Sequence, residues 1–167
     1  MSDVPHPSTD VGQSLPEQDT LVHHPTPKEL GRTTTRTLRF GTKALVRSRG
    51  RVLLVRERRQ DGSTFWTLPG GGTKQGETLR ASLKREVYEE ICSDCSLGAL
   101  VDRCRYDHTT RPDTTTVYSV FEATLVSEPV PDPGEQVVEC GWFDPADAPS
   151  GTLAPIERVL ARTSPDG

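Results

Sequence analysis

Apolar residues recur along this chain at two periods, and the periods divide it into elements. Between Leu79 and Ile91, Leu79, Leu83, Val87 and Ile91 come every four residues, with good helix formers between them and no internal Gly or Pro. This spacing predicts a helix with one core-facing stripe, and Thr78 stands where its N-cap would be. Leu153, Ile156, Val159 and Leu160 repeat the helical spacing and predict a second helix over Thr152 to Ala161. Elsewhere the apolar runs are short and rich in β-formers. They predict strands at Thr33 to Arg47, Val52 to Val55, Phe65 to Leu68, Leu97 to Tyr106, Thr114 to Val126 and Val137 to Phe143. Ser48-Arg49-Gly50-Arg51, Asp61-Gly62-Ser63 and the polar stretch Asp107 to Asp113 supply the turns between them. Val117, Val120, Phe121 and Leu125 alternate only in part, as expected for a sheet covered on both faces. The pattern is that of an α/β protein.

Composition changes the picture mainly at the N-terminus. The 167 residues suffice for one domain plus a tail. Residues 1–30 carry Pro5, Pro7, Pro16, Pro25 and Pro27 among polar residues and lack aliphatic periodicity, so they read as a flexible tail ahead of a domain over 31–167. The adjacent His23 and His24 in that tail are read as incidental. Hydrophobic content is 32%, and no apolar run approaches the length of a membrane span. The start, Met-Ser-Asp-Val-Pro-His, has neither the charged nor the apolar part of a secretory signal. A cytoplasmic location without membrane contact is the expectation. The net charge of −4 is uneven: Gly31 to Gln60 holds ten Lys and Arg against Glu57 alone. That segment either attracts a polyanion or decorates a hairpin turn and a solvent face. It does not by itself support a nucleic-acid partner.

The candidate chemistry lies between Gly70 and Glu90. Glu86, Glu89 and Glu90 fall at i, i+3 and i+4, so their carboxylates share one helix face. Like charges at that spacing are unfavourable unless compensated, and Arg85 offsets only part of them. Hard divalent cations seek such carboxylate oxygens, although acidic helix faces are often merely solvated. Gly70-Gly71-Gly72 in front of the helix lets backbone turn sharply and approach a phosphate or metal.

Together these residues resemble the Nudix hydrolase signature, G-x5-E-x7-R-E-U-x-E-E-x-G-U with U a bulky aliphatic residue. Gly71, Glu77, Arg85, Glu86, Val87, Glu89 and Glu90 occupy its positions, and Trp66 and Leu68-Pro69-Gly70-Gly71 precede it as in the family. The run Glu139-Cys140-Gly141-Trp142-Phe143-Asp144 also resembles a stretch ahead of the family's last helix. The likeness spans about residues 35–163. It departs at the end of the signature, where Cys92 replaces Gly and Ser93 an aliphatic residue, and Lys74 stands where many members carry an acid.

The resemblance implies an α/β/α sandwich with a mixed sheet, and pyrophosphate hydrolysis of a nucleoside diphosphate linked to another moiety. It implies Mg²⁺ or Mn²⁺ held by Glu86, Glu89 and Glu90, with Gly71 beside them. Glu135, from the loop before the last strand, is a further ligand candidate, and Glu139 is the second choice. Glu86 is the expected general base, Arg85 and Glu89 complete the catalytic set, and Glu77 braces loop against helix. Substrate contacts are expected from Gly70, Gly71, Gly72, Trp66 and Arg56, and Trp66, Tyr106 and Tyr118 are the aromatic candidates for stacking a base. A small-molecule nucleotide is the expected partner, with the chain a monomer or homodimer. The alternative is a catalytically silent nucleotide- or RNA-binding module, against which the intact glutamate set argues. Cys92, Cys95, Cys104 and Cys140 include only one close pair, so ordinary packing is the better reading than a zinc site.

Overall fold

The computed structural model describes residues 36–164. The expected tail over 1–30, with His23 and His24, lies outside that range. The elements are β1 (Thr37–Ser48), β2 (Arg51–Arg58), β3 (Thr64–Thr67), β4 (Gly70–Gly72), α1 (Leu79–Ile91), β5 (Cys95–Asp107), β6 (Thr114–Leu125), β7 (Val137–Phe143) and α2 (Ala154–Thr163). A single 3-10 turn, Pro133–Glu135, precedes β7.

Among the described residues the strands form one mixed sheet in the order β3-β2-β1-β6-β5, with β4 added to β1 and β7 to β2. β1 and β6 run parallel from Thr37↔Thr114 to Val46↔Ala123. The hairpin of β1 and β2 pairs only at Arg47↔Val52 and Ser48↔Arg51. Beyond that point the strands part: β1 takes up β4 on that edge, while β2 is flanked by β3 and β7. Lys43 of β1 and Glu57 of β2 both line the cavity described below.

Period-2 alternation sorts the sheet's side chains into two cores. Ala44, Val46, Leu53 and Val55 face α1 and join its stripe of Leu79, Leu83, Val87 and Ile91, with Phe121 and Val137. Leu45, Val52 and Leu54 face the other way and meet Ile156, Val159 and Leu160 of α2, with Trp66 and Leu68. This is the α/β/α sandwich that the signature implied. Leu83 is 0% exposed, and truncating such a leucine to Ala costs about 2–5 kcal/mol. Three of the cysteines pack as expected, Cys95 and the half-buried Cys140 on the α1 side and Cys104 on the α2 side, whereas Cys92 is exposed.

Two local features position the site. Thr78 caps α1 as the sequence predicts, its side-chain oxygen accepting from the Ala81 N–H at 3.1 Å. Gly70 to Gly72, expected to be a loop, instead form a short strand against Gly41 to Lys43 of β1. The reason is close approach. Gly70 has φ +134°, and a Cβ there would lie 2.0 Å from the Thr42 carbonyl oxygen. Only glycine fits.

Candidate active site

Helix α1 turns its polar face toward the glycine strand, and Arg85 is the hub between them. Its Nε donates to Glu77 Oε2 at 2.8 Å and its Nη2 to Glu77 Oε1 at 2.9 Å, a two-pronged contact. Nη1 reaches Glu86 Oε1 at 3.1 Å and Glu89 Oε2 at 3.0 Å, and Nη2 also donates to the Gly72 carbonyl at 3.3 Å. Glu77 Oε1 accepts a further bond from the Lys74 N–H. The guanidinium holds the Glu77 carboxyl below the usual carboxylate range through these hydrogen bonds. Glu77 therefore ties the segment before the helix to Arg85, and Arg85 aligns Glu86 and Glu89. One guanidinium faces three carboxylates.

Glu90 lies on the buried side. It is 3% exposed, and its Oε1 accepts the Gly70 N–H at 2.7 Å. Its Oε2 is buried with no hydrogen-bond partner. The neighbouring side chain is Glu57 of β2, within hydrogen-bonding reach of the Glu90 carboxyl. The two observations agree once protons are considered: two ionised carboxylates offer each other no donor. Burial, and then Glu57, push the Glu90 carboxyl well above its ordinary value. Burial likewise raises Glu86, although Arg85 opposes it. Gly71 is packed against that carboxylate, since a Cβ on Gly71 would lie 2.8 Å from Glu86 Cδ.

Lys43 completes the floor. It is 4% exposed, donates to the Gly70 carbonyl at 3.3 Å and sits 4.8 Å from the centre of the Tyr118 ring. Burial pushes its ammonium down, but Tyr118, Glu57 and Glu90 outweigh burial and hold it above the ordinary lysine value. The cation–π contact and the backbone acceptor keep this charge tolerable away from water.

Lys43 and Glu86 open onto a cavity of about 980 Å³, whose lining does not include Arg85, Glu89 or Glu90. Glu57, Glu86, Lys43 and Gly72 line one part of it. Tyr106, His108, Tyr118 and Phe65 supply aromatic surface, and Arg39, Arg58, Arg59, Lys74 and Arg111 supply positive charge. Tyr106 and His108 meet edge to face at 4.8 Å. The basic segment is therefore divided: Arg39, Lys43, Arg58 and Arg59 face the cavity, whereas Arg47 and Arg51 sit at the hairpin end beside α2.

A model described as NUDIX domain matches residues 36–163. The chain belongs to the Nudix family. A MutT Nudix hydrolase from Burkholderia pseudomallei shares 23% identity over 76% of this chain and 98% of its own, with a TM-score of 0.69. A MutT protein from Methanosarcina mazei Go1 shares 20% over 78% and 95%, with a TM-score of 0.68. An ADP-ribose pyrophosphatase from Streptococcus suis shares 26% over 74% and 85%, with a TM-score of 0.53. No match was found among curated proteins. Family membership makes the chain a Nudix-type hydrolase of pyrophosphate linkages, as the signature implied. No helix among the described residues is long and apolar enough to cross a membrane.

Not every residue expected at a Nudix site reaches this cavity. Trp66 is buried in the α2-side core, edge-on to Phe143 at 5.0 Å, so it is a packing residue and not a platform for a base. Arg56 points away, bonded to Glu139 Oε2 at 3.2 Å and to Thr64 Oγ1 at 3.0 Å, and that ion pair also occupies Glu139. Glu135 is exposed on its 3-10 turn, outside the cavity lining. Lys43, Glu57, His108 and Arg111 were missed. For Glu57 a signal existed, because Leu53, Val55 and Glu57 share one strand face and the first two are core.

Among the described residues no three His, Cys, Asp or Glu side chains form a ready-made metal cage. The donor set nevertheless fits a hard divalent cation. The partnerless Glu90 Oε2, the crowded Glu57–Glu90 contact and three carboxylates around one guanidinium all leave negative charge uncompensated.

Proposed function

We propose that the protein hydrolyses a nucleoside diphosphate linked to another moiety, in a reaction that depends on Mg²⁺ or Mn²⁺. The single observation carrying the cation requirement is the buried, partnerless Oε2 of Glu90. An isolated polar atom in the core is costly, and a charged one more so. Glu86, Glu89 and Glu90 would hold the ion beside Gly71. When bound, it supplies polarisation of phosphoryl oxygens and a lowered pKa for the attacking water.

The chain's own residues do the rest. Glu86 lines the cavity and takes the water's proton; its burial raises its basicity toward the working pH. Arg85 holds Glu86 and Glu89 in register through its Nη1 fork. Glu77 fixes Arg85, and Gly72 adds a carbonyl to the same guanidinium. Arg39, Arg58, Arg59, Lys74 and Arg111 neutralise a phosphate chain, and Tyr106 and His108 offer ring surface to a base.

The test is a substrate panel of nucleoside triphosphates, ADP-ribose, nucleotide sugars and dinucleoside polyphosphates, with Mg²⁺ or Mn²⁺ and phosphate release after phosphatase coupling. Turnover of one class, lost on chelation and in Glu86→Gln, is the expected result. Turnover that survives both would rule out this use of the helix.

A further inference from the structure

The negative charge of this site is compensated unevenly. On one side of α1, Arg85 contacts Glu77, Glu86 and Glu89 at 2.8–3.1 Å. One turn further along the same face, Glu90 has one oxygen on the Gly70 N–H and the other without a partner, with the Glu57 carboxylate beside it. Lys43 acts on both acids, but its ammonium is committed to the Gly70 carbonyl and the Tyr118 ring. Two carboxylates in contact, one of them buried and the other at the cavity wall, favour a proton or a cation between them.

Strand geometry explains why Glu57 is there. Leu53 and Val55 point from β2 into the α1-side core, and Glu57 is next in that row. The β2–β7 ladder shifts register between Arg56 and Glu57, so that Val137 pairs with Glu57. The extra residue lies on β7, while the β2–β3 ladder runs unbroken through Glu57↔Phe65, so Glu57 keeps the strand parity of Leu53 and Val55. Glu57 leaves the apolar row where the cavity begins, and it lines that cavity together with Glu86. A solvated surface acid has no need of that placement.

We propose that Glu57 is a further ligand of the divalent cation, shared with Glu90 and supplied by β2 from outside the glutamate helix. The inference rests on the cation-dependent reading above and deepens it. Two carboxylates plus substrate phosphates are a sufficient protein contribution for Mg²⁺, which keeps several of its waters. The proposal also accounts for the unused Oε2 of Glu90 without any movement of Arg85.

The experiment uses the full chain and Mn²⁺ alone, without nucleotide. Calorimetric titration and electron paramagnetic resonance of free Mn²⁺ would compare the unmodified protein with Glu57→Gln, Glu57→Asp and the exposed control Glu128→Gln. Glu57→Gln is expected to weaken Mn²⁺ binding about tenfold or more, with Glu57→Asp intermediate and Glu128→Gln unchanged. Thermal melts in chelated buffer give the second readout. There Glu57→Gln should melt at or above the unmodified protein, because a like-charge contact is relieved, and Mn²⁺ should raise its melting point less. Equal Mn²⁺ affinity in Glu57→Gln and the unmodified protein would overturn the assignment while leaving the cation reading intact. So would a lower melt in chelator with the full Mn²⁺ response, which marks a structural residue. If Glu57→Gln fails to fold, Glu57→Asp decides, and full affinity there overturns the assignment. Absence of Mn²⁺ binding in the unmodified protein would refute both readings at once.

Discussion

Cys92 ends α1 in the left-handed region, at φ 56°, with its N–H donating to the Tyr88 carbonyl at 2.9 Å. A Cβ in that conformation is strained by about 1–2 kcal/mol. Glycine removes the strain but loses more backbone freedom on folding, by about 0.5–1 kcal/mol. Cys92→Gly should therefore stabilise the protein by about 0.5–1 kcal/mol net. Little opposes this gain, because the Cys92 side chain is exposed and the capping bond uses only backbone. For a domain of this size 1 kcal/mol moves the melting point by about 2–4 °C. Scanning calorimetry in reducing buffer, with excess chelator, would read a rise of about 1–4 °C. Cys92→Ala is the control, since it keeps the Cβ and removes the thiol, and it should show no rise. A Cys92→Gly melt at or below the unmodified protein would sink the argument. An equal rise in Cys92→Ala would shift the cause from backbone strain to the thiol.

Other perturbations address the site. Gly70→Ala should disrupt the β1–β4 pairing, costing about 2–4 kcal/mol or preventing folding, as read by urea midpoint, because its Cβ would meet the Thr42 carbonyl. Gly71→Ala should spare most of the stability but displace Glu86, so turnover should fall while the midpoint moves little. Arg85→Gln leaves Glu77, Glu86 and Glu89 without their cation and should cost about 2–3 kcal/mol in chelator, part of it restored by Mn²⁺. The Glu77 carboxyl is held below its ordinary value of 4.5 by Arg85, so its contribution is complete above pH 4.5 and is lost as pH falls through the lower folded value. Glu77→Gln should therefore lower stability at pH 7 and flatten the acid limb of a stability-against-pH curve; an unchanged acid limb would contradict it.

The fold was legible wherever hydrophobic period and turn chemistry agreed. Leu79 to Ile91 is helical over the predicted span because its stripe, its Thr78 cap and its lack of Gly or Pro all favour the same state. The strands were found to within a few residues, since each carries β-formers bounded by turns. β4 was not legible. Three glycines carry no side-chain pattern, and their pairing with β1 depends on a backbone approach that only the tertiary fold creates.

The site was legible where chemistry is local in sequence and hidden where it is assembled across strands. Arg85 with Glu77, Glu86 and Glu89 lies within thirteen residues, and helical spacing alone places Glu86 and Glu89 on one face while Glu77 reaches Arg85 from just ahead of the helix. Trp66 and Arg56 misled because a large aromatic and an arginine near a glycine-rich segment suit either a ligand or the fold. Burial against Phe143 and the ion pair with Glu139 decided for the fold. Glu57 sat inside a basic run and looked like a lone counter-charge on a solvent face. Its meaning depended on strand parity, since an acid in the same row as Leu53 and Val55 is carried toward the core face and must meet something there. What it meets is Glu90, thirty-three residues later on a helix whose packing no strand pattern specifies. An unmatched charge in an otherwise apolar row is therefore the sequence signal for this part of the site, and the protein's response to Mn²⁺ in Glu57→Gln is where that signal is tested.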